Sequence, residues 1–70
     1  SAASDVYKRQ LKQIYNKTPE QAMNITRKIH DDGQGIVGSY VHEVAEQKGI
    51  ESTLAARNEG FPLQVKVKKQ

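Results

Sequence analysis

The sequence predicts an α+β two-layer domain in the order helix, helix, strand, helix, strand. Three observations carry this expectation. Thr18-Pro19-Glu20-Gln21 spells out a helix start, Gly33-Gln34-Gly35 separates that helix from the β-branched pair Ile36-Val37, and Leu63-Gln64-Val65-Lys66-Val67-Lys68 alternates strictly between apolar and polar residues. At 70 residues the chain makes one domain at most, with little stability to spare.

The first helix should run through Val6, Leu11, Ile14 and Tyr15, with Asp5 as its cap and its strongest stretch from Gln10 onward. Residues 1–10 resemble translated sequencing-adaptor sequence and read as a non-native leader continuing into this helix, which leaves residues 11–70 as the domain proper. In the second helix Thr18 is the N-cap, Pro19 the first helical residue and Gln21 the capping-box partner. It should extend to about Asp31, carrying Ala22, Ile25 and Ile29 on one stripe with Thr26 and His30 beside it, because residues three and four apart share a face. Gly33 should end it in a left-handed conformation, with Asp31 and Asp32 as a solvated end despite the negative pole of the dipole there.

A short strand is expected over residues 35–40, with Gly38 marking a bulge or close backbone approach. A third helix should span about His42–Asn58, with Val44, Ala45, Leu54 and Ala55 as its apolar face and a kink or break near Gly49. Asn58-Glu59-Gly60 should end it, and Pro62 should block its resumption. In the closing strand Leu63, Val65 and Val67 should face a core, and Gln64, Lys66 and Lys68 water.

Composition excludes several function classes. There is no cysteine, so neither disulfides nor a thiolate metal site reinforce the fold, which favours an intracellular setting. No apolar run exceeds three residues, so no transmembrane helix is expected, and a soluble, cytoplasmic protein is. An enzyme is not expected: no Ser-His-Asp pattern has convincing spacing, and Gly33-Gln34-Gly35 precedes a strand rather than opening a helix as a phosphate loop would. His30, Asp31, Asp32 and His42 have no recognised ligand spacing, so neither a metal nor a cofactor is expected. The net charge of +3, with excess cations at Lys8, Arg9, Lys12, Lys17, Lys66, Lys68 and Lys69, leaves a small basic nucleic-acid-binding module as the alternative function. Against it, the few aromatic residues form no base-stacking pattern.

Several runs point to something more specific. The helix end Ile29-His30 followed by Gly33, the run Ile36-Val37-Gly38-Ser39-Tyr40, the segment Glu43-Val44-Ala45-Glu46-Gln47-Lys48 and the close Ala56-Arg57-Asn58-Glu59-Gly60-Phe61-Pro62-Leu63 share an order and spacing. From Leu11 to the end they resemble the ClpS family, bacterial or phage-type adaptors that deliver proteins with destabilising N-terminal residues (N-degrons) to Clp AAA+ proteases. The resemblance implies a β-α-α-β-α-β fold of which this chain supplies everything after the first strand. The family's Asn-Asp-Asp motif, which holds the substrate's ammonium group, has no counterpart here. The chain therefore reads as a fragment of an adaptor that binds N-degrons poorly.

Recognition of a protein's N-terminus needs acceptors for an ammonium group and an apolar hole for the first side chain. By resemblance, Ile25, Thr26, Ile29 and Leu63 are candidates for the wall of that hole and His30 for the ammonium acceptor. A neutral imidazole nitrogen can accept the bond, and its other nitrogen needs a partner that fixes the tautomer. Thr26 replaces a methionine common in the family, which would reshape the hole. Glu43 and Lys48 match positions that the family uses to dock on the N-terminal domain of a Clp-type unfoldase. Read without the resemblance, the apolar members are core residues and the charged pair a solvated helix face.

Overall fold

The computed structural model describes residues 2–61 and 63–69, which form three helices in two compact units, Ser1–Gly38 and Ser39–Gln70. The first unit holds α1 (Ala2–Gln13) and α2 (Pro19–Asp32), which pack against each other. Helix α1 begins well before Gln10, and Asp5 lies inside its first turn, where its charge suits the positive end of the helix dipole. Val6, Leu11, Tyr15 and Ala22 are buried in this unit, each large side chain contributing about 1.5–3 kcal/mol of transfer free energy. Past α1 the chain turns at Asn16, whose φ of 56° is a left-handed conformation that asparagine tolerates better than most residues.

Helix α2 starts as its sequence specifies. The Thr18 hydroxyl accepts from the Gln21 backbone N–H at 3.1 Å, and the Gln21 side chain accepts from the Thr18 N–H at 3.0 Å. Both bonds satisfy donors that the helix itself leaves unpaired. Gly33 ends the helix with φ 80°, donating its N–H to the Ile29 carbonyl at 2.8 Å. The buried side of α2 is not the expected Ala22-Ile25-Ile29 stripe. Ala22 and Thr26 are buried, while Ile25 and Ile29 are half-buried and close around Gly35, where a Cβ would lie 3.3 Å from Ile29 Cγ1 and 3.5 Å from Ile25 Cγ2.

The second unit is built on α3 (His42–Asn58), which runs through Gly49 without a break. Gly49, Ser52 and Ala56, three and four residues apart, form its buried stripe. Glycine at 49 permits close packing: a Cβ there would sit 3.3 Å from Val65 Cγ1, so the C-terminal segment lies directly on the helix. The Ser52 hydroxyl donates to the carbonyls of Lys48 and Gly49 at 3.0 and 3.2 Å and is thereby satisfied in the interior. The helix closes in a Schellman motif, with Phe61 N–H on the Ala56 carbonyl, Gly60 N–H on the Arg57 carbonyl and Gly60 at φ 79°. Pro62, expected to block the helix, lies outside the described residues.

The expected α+β class is corrected. Among the described residues there are three helices and no strand, so the described chain is all-α, and neither the helix-helix-strand-helix-strand order nor the two strands of the implied β-α-α-β-α-β fold is present. Alternation records which side chains are covered, but a strand exists only where a neighbour's N–H and C=O groups complete a ladder. Leu63 and Val65 are half-buried between exposed Gln64 and Lys66, but Val67, expected to face a core as well, is 40% exposed, and what covers Val65 is helix α3. Ile36 is 88% exposed, with no sheet face over it.

Candidate functional site

Helix α2 sets the site of the first unit. Thr26 and His30, one turn apart, line a cleft of about 280 Å³ together with Ser4 and Lys8 of α1 and Met23 and Arg27 of α2. The helix spacing that places Thr26 and His30 together also separates them from Ile25 and Ile29, which pack on Gly35 instead. Thr26 is 5% exposed, and its hydroxyl has no hydrogen-bond partner. Gln10, 3% exposed, is likewise buried with both polar atoms of its side-chain amide unpartnered.

The His30 ring is 82% exposed, and its Nδ1 lies 3.2 Å from Asp31 Oδ1. In the tautomer that donates Nδ1–H to Asp31, Nε2 keeps its lone pair and can accept a hydrogen bond. Lys28 pairs with Asp32 on the neighbouring turn. The residues lining the cleft include the cations Lys8 and Arg27 and no carboxylate, so Asp31 is the acidic group beside the candidate acceptor.

The remaining candidates lie in the second unit. Leu63 is half-buried, Glu43 is exposed in the first turn of α3, and Lys48 is half-buried on the same helix. The Lys48 Nζ lies 5.4 Å from the centroid of the Tyr40 ring. A second cleft, of about 390 Å³, runs between α3 and the C-terminal segment, with Ile50, Leu54, Val65 and Val67 on its apolar side. At its rim His42 Nε2 meets Glu46 Oε1 at 2.8 Å. Among the described residues no group of three or more His, Cys, Asp or Glu side chains is placed to hold a metal ion, and no helix is long and apolar enough to cross a membrane.

Sequence reasoning singled out Thr26 and His30 but missed their neighbours Lys8 and Arg27, as well as Tyr40 beneath Lys48. Only Asp31 carried a local signal, since it directly follows His30.

Residues 5–66 match the family model described as "ATP-dependent Clp protease adaptor protein ClpS", and the chain belongs to the ClpS family. Proteins called ATP-dependent Clp protease adapter protein ClpS are similar to it in Treponema denticola (45% identical over 80% of this chain and 55% of that protein) and Helicobacter hepaticus (40% over 90% and 64%). A third, from Oleidesulfovibrio alaskensis, is 48% identical over 71% of this chain and 48% of that protein. The chain thus spans about half to two thirds of the length of these curated relatives. No solved structure matches it significantly. Nothing in these matches supports the nucleic-acid alternative.

Proposed function

We propose that this chain acts as an adaptor: it binds proteins bearing large apolar, destabilising N-terminal residues and delivers them, in the cytoplasm, to the N-terminal domain of a Clp-type AAA+ unfoldase for proteolysis. Membership of the ClpS family across residues 5–66 is the observation that carries the reading. Its chemistry is binding and transfer of a partner, with no covalent step, so the chain is an adaptor rather than an enzyme.

The cleft lined by Thr26 and His30 supports N-terminus recognition. An ammonium group needs an acceptor, and His30 Nε2 supplies one when Nδ1–H is donated to Asp31, whose carboxylate also attracts the positive charge. Lys8 and Arg27 in the same cleft act against it by like-charge repulsion. Ile25, Ile29 and Leu63 are assigned to the wall for the first side chain, and Glu43 and Lys48 to unfoldase docking, by their register with the family.

The test is titration of the chain with fluorescent peptides beginning with Leu, Phe, Tyr or Trp, each beside its N-acetylated form. The reading expects binding that acetylation abolishes. Equal affinity for both forms would show that the free N-terminus is not recognised.

A further inference from the structure

The geometry points to Tyr40 as the positioning residue of the docking surface: its ring holds the Lys48 ammonium in place for an acidic side chain on the unfoldase. This rests on the docking role proposed for Glu43 and Lys48 and adds to it a residue outside that pair. Lysine is among the residue types least often buried, yet Lys48 is half-buried, and its Nζ lies 5.4 Å from the Tyr40 ring centroid, within cation–π range.

Glu43 and Lys48 are five residues apart, so they sit roughly 140° apart around α3 and about 7.5 Å apart along its axis. One flat partner surface would not naturally meet both. A lysine on a helix leans toward the N-terminus, and Tyr40 precedes the first residue of α3, so an ammonium held over Tyr40 is drawn back toward the turn that carries Glu43. That end of the helix carries a partial positive charge that disfavours a cation, and the negative face of the ring offsets it. Tyr40 itself is half-buried, which limits its motion. A lysine restrained in this way loses less side-chain entropy on docking than one free in solvent.

The experiment measures affinity of the full chain for an intact Clp unfoldase by biolayer interferometry. Tyr40→Leu should weaken binding about threefold, the size of an exposed cation–π contact, and Tyr40→Phe, which keeps the ring face, should bind as the parent does. Added to Lys48→Met, Tyr40→Leu should cost nothing further. An equal loss in the Lys48→Met background would make Tyr40 merely structural and overturn the proposal, as would parent-like binding by Tyr40→Leu where Glu43→Gln and Lys48→Met both weaken it. Should Glu43→Gln and Lys48→Met both bind normally, the docking reading itself fails, and the role of Tyr40 with it. Proton NMR of the parent chain tests the stack without any unfoldase: ring-current shielding of the Lys48 ε-methylene is expected, and its absence would overturn the proposal even if Tyr40→Leu cannot fold.

Discussion

In the site proposed at His30, binding would turn on one lone pair. The imidazole can accept an ammonium N–H through Nε2 only while neutral, and the Asp31 carboxylate 3.2 Å from Nδ1 favours the tautomer that leaves Nε2 free. His30→Ala should therefore weaken N-degron binding about tenfold, the cost of one charge-assisted hydrogen bond, without changing the circular dichroism spectrum. His30 is a candidate only through the ClpS resemblance, since read alone it is a histidine at a helix end, suited to the C-terminal dipole. Lys8 could not be picked out at all, because its approach to His30 depends on how α1 packs on α2, which no local pattern encodes.

Among the elements, the helix ends were the most legible. Thr18, Gln21 and Gly33 each have a local hydrogen-bonding or φ requirement that their side chains announce, and the structure places each in its expected role. Thr18→Ala should lower stability by about 1 kcal/mol in chemical denaturation, since it strips the N-cap acceptor from Gln21 N–H. Gln10→Leu should act in the opposite direction, raising stability by about 1–2 kcal/mol in the same assay, because it replaces a buried and unpartnered amide with an apolar side chain of similar size. No change would mean that the Gln10 amide is satisfied in solution. The strands were misread for a different reason. The alternation from Leu63 to Lys68 suggests coverage of every second residue, which α3 provides at Val65 through Gly49 but not at exposed Val67, whereas pairing into a ladder depends on a neighbour distant in sequence. Gly49 was likewise read as a weak point in the helix, although its missing side chain is what admits Val65.

For the whole molecule, the proposed adaptor function couples two activities, degron binding and delivery, that should separate by mutation. Glu43→Lys combined with Lys48→Glu should impair delivery of a degron-tagged substrate in a Clp degradation assay while leaving peptide affinity unchanged, because reversed charges oppose a complementary surface. Unaltered degradation would mean that α3 docks through other residues. The family was legible from the order and spacing of short runs, each weak alone, whereas the surroundings of the candidate residues were not. Ile25 and Ile29 turn toward Gly35, while Thr26 and His30 line a cleft with Lys8 and Arg27. Recognition of a free N-terminus is decided by anisotropy titration of the chain with a Leu-, Phe-, Tyr- or Trp-initiated peptide beside its N-acetylated twin. The free peptide should bind, and acetylation should eliminate that binding. Binding indifferent to acetylation, or no binding by a chain that circular dichroism shows to be folded, would rule out N-terminus recognition.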